Sequence, residues 1–269
     1  MKDYAQVSKF FYSKPWMVQP EKFQEISAFL QWKMGGGTLD PAAFAHYKLQ
    51  AEAIAARAKT VSASSSGAVA VLPLYGLIMH RGSIMQYYSG GTSIEQFTQD
   101  FRQAVSDPGV KAIVIDIDSP GGSVEGVDEL AAEILAARKT KNVVAVSNCL
   151  CASAAYYLAA SATEIVVSPS ALTGSIGVYS AHEDTSKYLE GLGVKVSLIS
   201  AGKYKTEGNS FEPLSDDARA AMQVLVDDYY GLFVKAVAKG RNVSQAAVMG
   251  GFGEGRVLTA QAAVKANLA

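Results

Sequence analysis

Ser153 stands at a point in the sequence where a hydroxyl group could do chemistry. It follows the apolar run 143–146 and precedes the helix-like stretch 154–160. The first-turn N–H groups and the positive end of the helix dipole would lie near its Oγ, which suits a nucleophile that forms an anionic intermediate. A serine in this position is also an ordinary helix N-cap, and the pattern leaves both interpretations open.

A second feature, the segment SPGGS at residues 119–123, follows the predicted strand AIVIDID. Adjacent glycines let the backbone turn with its N–H groups exposed, and they let another main chain come close. Such a loop can bind a developing oxyanion, although a simple strand-to-helix turn would have the same sequence. If both features are functional, the N–H groups of Gly122 and Ala154 would surround one point beside Ser153.

A serine nucleophile needs a base, and histidine is the usual one. The chain has three histidines, His46, His80 and His182. His46 lies in the N-terminal region and His80 follows an early strand, so His182, 29 residues after Ser153, is the only histidine candidate. A surface position in a loop is the simpler explanation for His182.

Lysine is the alternative base. A buried ammonium group loses hydration, its pKa falls from about 10.4 toward neutrality, and the free amine can then take a proton. The segment SAGKYKTEGNSFEP at residues 200–213 supplies Lys203 and Lys205. Each would ordinarily be a solvated surface lysine, so the pattern alone does not decide between Lys205 and His182.

The elements that must position these residues begin at residue 68, where apolar runs start to alternate with amphipathic stretches. Strands that are apolar throughout and joined by helices predict an α/β domain with a covered, largely parallel sheet. The predicted strands are 69–78, 112–117, 143–148, 164–169 and 194–200, and the predicted helices are 125–139 and 216–239. The apolar face of the last helix comprises Met222, Leu225, Val226, Tyr229 and Phe233.

The first 60 residues are predicted to form a helical arm. Apolar residues recur at helical spacing over 20–33, behind a proline suited to a first helical turn, and a second helix is predicted at 41–59. The segment SASSSG is typical of a linker. We therefore predict an arm at 1–60, a Ser/Gly linker at 61–67 and the main domain at 68–269.

Composition excludes several classes of protein. Hydrophobic residues make up 49% of the 269 residues, enough for a large core, and the net charge of −1 does not indicate a nucleic-acid partner. No apolar run approaches the roughly 20 residues that span a bilayer, and the N-terminus lacks the core of a signal peptide. Cys149 and Cys151 fit neither a disulfide framework nor a metal site. We expect a cytoplasmic protein without a nucleic-acid or membrane partner.

Three separated motifs carry a resemblance that goes further than spacing. SPGGS, CASAAYYLAASATEIVVSPSALTGSIGVYS and GKYKT, in this order, resemble the signal peptide peptidase A family of serine–lysine proteases, which have the Clp-protease/crotonase-like fold. The resemblance implies a serine endopeptidase in which Ser153 is the nucleophile and Lys205 the general base. It further implies that Ser175 orients the lysine and that Gly122 and Ala154 form the oxyanion hole, without a metal or cofactor.

The arm segment KPWMVQPEKFQEISAFL resembles the start of the phage branch of this family, the head maturation (prohead) proteases. That branch cleaves scaffold and capsid or portal proteins during procapsid assembly, in the host cytoplasm or within the procapsid. The family resemblance also implies a closed homo-oligomeric ring in which the serine of one subunit is completed by the lysine of its neighbour.

Three alternatives remain open at this point. One is degradation of peptides in the manner of the signal peptide peptidases. Another is a crotonase-like acyl-CoA enzyme, which would need a carboxylate, and Glu125 and Asp128 are the nearest in sequence to the glycine segment. The third is a capsid assembly factor that kept the fold without catalysis.

Overall fold

The computed structural model describes residues 7–8, 11–34, 68–81 and 90–269, together with residues 49, 52–53 and 56. The predicted linker at 61–67 and most of the predicted helix at 41–59 lie outside the described residues. The predicted helix at 20–33 is present, because α1 spans Pro20–Met34.

The described residues form strands and helices that alternate along most of the chain. The strands are β1 (Trp16–Val18), β2 (Val69–Tyr75), β3 (Leu77–Met79), β4 (Gly91–Ser93), β5 (Ala112–Ser119), β6 (Gly121–Ser123), β7 (Asn142–Ala152), β8 (Glu164–Val167), β9 (Leu172–Gly174) and β10 (Val257–Thr259). The helices after α1 are α2 (Ile94–Ser106), α3 (Val127–Ala137), α4 (Ala154–Ala160), α5 (Ser186–Gly191), α6 (Asp216–Arg241), α7 (Gln245–Gly251) and α8 (Ala260–Lys265).

The larger sheet has the strand order β10-β9-β7-β5-β2, with β8 also paired to β7. All of these pairs are parallel except that of β10 with β9. Along β5, Ile113, Ile115 and Ile117 are buried while the residues between them are half-buried. The predicted α/β class is confirmed. The predicted largely parallel sheet is confirmed as well, and in the single chain one of its faces is buried while the other leaves Val166 exposed.

Helices pack their apolar sides against the buried face. In α2 these residues are Ile94, Phe97 and Phe101, and the Ser93 side chain caps the helix by accepting a hydrogen bond from the Gln96 N–H. Helix α3 lies within its predicted range, and α6 slightly exceeds its own. Apart from Ala218 in its first turn, α6 is buried only in its C-terminal part, so the predicted apolar face is wrong at Leu225, which is exposed.

The smaller sheet has the order β1-β6-β3-β4 and includes a strand from the N-terminal arm. The predicted strand 69–78 is divided into β2 and β3 because Gly76, with φ of +64°, turns the chain between them. A cluster that includes Phe11, Trp16 and Phe23 packs the arm against Leu77 of β3. Residues 11–34 are therefore docked on the domain.

The predicted strand at 194–200 is wrong. These residues pair with no strand in the described part of the chain, and their apolar side chains, Val194, Val196, Leu198 and Ile199, are exposed. Alternating apolar residues predict a half-buried strand only where a partner edge is available. Along the described residues, no helix combines the length and the apolar character needed to cross a bilayer.

Candidate active site

Ser153 lies between the end of β7 and the start of α4 and is 1% exposed. Its backbone has φ of 56° and ψ of −119°, and its side chain makes no capping hydrogen bond to the helix. An ordinary N-cap serine has an extended backbone and caps with its oxygen, so that interpretation does not fit. Non-glycine residues with positive φ are uncommon and concentrate at functional sites, where surrounding structure maintains the strain.

The glycine segment forms strand β6 and lies directly beside Ser153. A Cβ added to Gly121 would lie 2.9 Å from Cβ of Ser153, and one added to Gly122 would lie 1.8 Å from the carbonyl oxygen of Ile78. Neither position can therefore hold a side chain without displacing its neighbours. The predicted proximity of this segment to Ser153 is observed, in a short strand paired on both edges rather than in an exposed loop.

Ser175 follows β9, the strand next to β7, and lies beside Ser153. Ala152 and Gly174 are register partners on these parallel strands, so the two serines immediately follow paired residues. The Ser153 N–H donates to the Gly174 carbonyl at 2.8 Å. Ser175 also has a positive φ, 53°, and is buried. The fold thus brings together Ser153, Ser175 and the glycine strand, with Ala154 adjoining the nucleophile candidate.

The candidate bases lie apart from this group. Lys205 is exposed, in the turns over 203–208, and its N–H donates to the Gly202 carbonyl at 3.1 Å. In the described part of the chain, no hydrogen bond links Lys205 to Ser153. His182 is hydrogen-bonded through Nε2 to the Asn209 carbonyl at 2.9 Å. His46 lies outside the described residues.

The carboxylates that a crotonase-like reaction would need are engaged elsewhere. Glu125 forms an ion pair with Lys14. Asp128 accepts a hydrogen bond from the Tyr157 hydroxyl at 2.6 Å, and burial together with this contact raises the pKa of Tyr157. Over the ranges that the structure describes, no group of three or more His, Cys, Asp or Glu residues could hold a metal ion.

The sequence interpretation missed one neighbour of the site, strand β1. It pairs antiparallel with β6, and Met17 is the register partner of Gly122. The three residues WMV lie between Pro15 and Pro20, and a short apolar run bounded by prolines is a signal for a short strand.

Comparison with known proteins defines the class. Residues 136–269 match Peptidase family S49, a range that includes Ser153, Ser175 and Lys205. The chain belongs to this family of peptidases, as the resemblance of the three motifs implied.

Among individual relatives, capsid assembly protease C of Escherichia phage lambda is 31% identical, and the alignment covers all of this chain and 63% of that protein. The head-tail preconnector protein GP5 of Enterobacteria phage P21 is 35% identical over 75% of this chain and 40% of its own length. Protease 4 of Salmonella typhi is 34% identical over 66% of this chain and 28% of its own length. The chain thus spans less than two thirds of the length of these relatives.

Proposed function

We propose that this chain is a serine endopeptidase that cleaves capsid, scaffold or portal proteins during phage procapsid assembly. Ser153 is its nucleophile, and Lys205 is the general base. The N–H groups of Gly122 and Ala154 form the oxyanion hole, and Ser175 orients the lysine. The reaction needs no cofactor, because the serine and the lysine together supply nucleophile and base.

The observation that carries this proposal is the backbone of Ser153. A buried serine with φ of 56° at a strand end, directly beside a glycine strand, has no explanation as a helix cap. The same junction turns the following N–H, that of Ala154, into the first turn of α4. A strained serine with backbone donors close by is what acyl transfer to a hydroxyl requires.

The chemistry follows from these groups. The neutral amine of Lys205 takes the Oγ proton as Oγ attacks the peptide carbonyl carbon, and the N–H donors hold the resulting oxyanion. When the C–N bond breaks, the lysine ammonium gives its proton to the leaving amine, which leaves an acyl-enzyme. The lysine then takes a proton from water, the hydroxide attacks the ester carbon, and the proton returns to Oγ as the acid product leaves.

Lys205 acts, in this proposal, on the serine of a neighbouring subunit in a closed homo-oligomeric ring. Lys205 is exposed in the single chain, whereas Ser153 is almost fully buried. The segment that leads to Lys205 exposes Leu198 and Ile199, the latter 99% exposed, and Tyr204 next to Lys205 is also exposed. Contiguous exposed apolar residues of this kind favour an interface between chains. A second copy is the occupant that would also supply the missing base.

The substrates are proposed from the relatives. One relative is named a capsid assembly protease and another a head-tail preconnector protein, and both belong to phages. We therefore place the activity in the host cytoplasm, at or within the procapsid. Co-expression with capsid, scaffold and portal proteins, followed by mass spectrometry of the products, tests this substrate class. Full-length survival of all three beside the intact enzyme would contradict it.

The shared dyad is tested by mixing two inactive variants. Ser153→Ala and Lys205→Ala are co-expressed with different tags, and oligomers that carry both tags are purified. With random mixing, about a quarter of the interfaces pair an intact serine with an intact lysine, so cleavage of casein should recover to about a quarter of the wild-type rate. Each variant alone should be inactive.

Mixed oligomers without activity above either parent would show that the two residues act within one chain. His182→Ala is the matched control, because it removes the other candidate base and should retain most of the wild-type activity. A loss of about 10³-fold in His182→Ala would instead assign the base to that histidine.

A further inference from the structure

Strand β1 occupies an edge of the site that an extended peptide would need. It runs antiparallel along β6, the strand that contains Gly122, and its Trp16 also forms a bridge with Tyr179. Tyr179 lies four residues after Ser175. Proteins commonly bind extended peptides by pairing them, as an added strand, with an exposed backbone edge. In this chain that edge is already filled by residues of its own N-terminal arm.

The hydrogen-bond pattern of β1 shows that backbone groups of this strand face the proposed oxyanion hole. The Trp16 N–H donates to the Tyr179 carbonyl at 2.8 Å, and the Tyr179 N–H donates to the Trp16 carbonyl at 3.1 Å. In an antiparallel ladder, successive residues point their N–H and C=O groups to opposite edges. Met17 therefore turns its backbone groups toward its register partner, Gly122. The N–H that should hold the oxyanion faces the Met17 carbonyl instead.

Contacts at Gly121 show how close the arm comes to the nucleophile. A Cβ added to Gly121 would lie 2.2 Å from the Met17 carbonyl oxygen and 2.9 Å from Cβ of Ser153. The backbone of the arm and the side chain of Ser153 thus both lie within contact distance of one point beside Gly121. There is no room for a second backbone between β1 and β6.

The arm is held there by contacts that are separate from the proposed catalytic groups. Lys14 forms its ion pair with Glu125, at the start of the segment that leads into α3. The indole N–H of Trp16 donates to the Phe11 carbonyl at 2.8 Å, and the ring of Phe23 stands edge-on to that of Tyr179 with centroids 5.2 Å apart. These contacts dock β1 without involving Ser153.

We propose that β1 is an intramolecular occupant of the substrate-binding edge, and that the arm must leave β6 before a protein substrate can reach Ser153. This inference rests on the proposed role of Ser153 and adds that the arm regulates access of the substrate to it. The occupant is held as an added substrate strand would be, because β1 pairs antiparallel with β6 through its backbone. An incoming peptide competes with the arm for the same backbone donors.

The first test weakens the arm in the full chain. Lys14→Glu reverses the charge that meets Glu125, and Lys22→Glu is the matched control, because Lys22 pairs with Glu25 inside α1 at 3.0 Å. The readout is the rate at which a small fluorophosphonate labels Ser153, a step in which Oγ gives its proton to the base and bonds to phosphorus while the P–F bond breaks and fluoride leaves. We expect Lys14→Glu to label at least tenfold faster than wild type, and Lys22→Glu to label at the wild-type rate.

The second test locks the arm in place. Trp16 and Ser123 are register partners, and the backbone N–H and C=O of Trp16 point away from β6, toward Tyr179. The two residues therefore form a non-hydrogen-bonded pair, in which the Cα atoms are about 4.5 Å apart. That distance is short enough for a disulfide. Trp16→Cys/Ser123→Cys is made in a Cys149→Ser background, because Cys149 is exposed. The oxidised protein should label at least tenfold more slowly than the same protein after reduction. Comparing two redox states of one polypeptide removes the effect of losing the indole.

Two further outcomes separate this inference from the role of Ser153. If the oxidised and reduced forms both label Ser153 at the same rate, the nucleophile stands and the occupancy of β1 is overturned. If neither the oxidised nor the reduced form is labelled at Ser153, the assignment of the nucleophile fails. The position of β1 on the substrate-binding edge is then tested by amide hydrogen exchange of residues 121–123. Faster exchange in Lys14→Glu than in Lys22→Glu supports a β1 that covers this edge, and equal exchange overturns it.

Discussion

The two halves of the proposed dyad differ in how much of their surroundings one chain provides. The serine half is buried: Ser153, Ser175 and the residues of β6 are packed among strands and helices of the same chain. The lysine half, residues 192–205, consists entirely of exposed residues. A catalytic lysine needs a desolvated setting if its amine is to be neutral near physiological pH. The single chain therefore provides buried surroundings for the serine half of the proposed site and leaves the lysine half exposed.

This difference indicates where each half obtains its stability. The serine half depends on close backbone contacts that only glycine permits, so it should be sensitive to small changes in volume. The lysine half makes few contacts within the chain, so it should tolerate substitution in the folded monomer and respond only when chains assemble. The predictions below separate folding from assembly and catalysis on that basis.

The largest effect is expected at the nucleophile. Ser153→Ala should lower the rate of casein cleavage by at least about 10³-fold, because the acyl-enzyme cannot form without the hydroxyl. The melting temperature should change little, since alanine keeps the Cβ and removes only one oxygen. Cleavage by Ser153→Ala at a near wild-type rate would show that another residue is the nucleophile.

Two glycines give the next comparison, one in the serine half and one directly before the lysine half. Gly122→Ala places a Cβ 1.8 Å from the Ile78 carbonyl oxygen and should lower the free energy of unfolding by about 3 kcal/mol or more. Gly191→Ala, at the end of α5, meets nothing within 4 Å and should leave stability unchanged or slightly raised. Urea unfolding of both variants measures the difference. Equal midpoints would contradict the contrast between the closely packed serine half and the exposed segment that leads into the lysine half.

The smallest effect on stability is expected at Ile199, where a substitution should affect the assembly of chains instead. Ile199→Asp should unfold at the wild-type urea concentration, because this side chain is 99% exposed. It should nevertheless reduce the oligomer seen by analytical ultracentrifugation and lower cleavage at least tenfold. Met249→Asp, at a 47% exposed apolar position on α7, is the matched control and should change neither. An intact oligomer in Ile199→Asp would remove this segment from the proposed interface.

The strands show how much of the secondary structure the local pattern of apolar residues predicts. Strands β5, β7 and β8 lie within or around their predicted ranges, because buried parallel strands are apolar along their whole length and helices separate them. The same reasoning is wrong at 194–200, where the apolar pattern is as clear but no partner edge exists in the described part of the chain. The local pattern of apolar residues indicates which side chains are excluded from water. It does not indicate whether the same chain or a second chain buries them.

At the candidate site, sequence motifs identified the residues that the fold brings together, but not their geometry. The glycine pair and the serine were recognisable because few other residues fit such close backbone approaches. The positive φ of Ser153, the neighbouring position of Ser175 and the strand β1 across from Gly122 were not readable. Each depends on strand register between segments that are distant in the chain.

The sequence by itself determined the α/β class, the family and the candidate residues, because hydrophobic periodicity and short motifs are local properties. Only the tertiary structure decided which strands are neighbours, that residues 16–18 lie against β6, and that Lys205 is exposed apart from a buried Ser153. Pairing between distant strands is set by how the whole chain buries its apolar surface and satisfies its backbone hydrogen bonds, and no short segment encodes that sum.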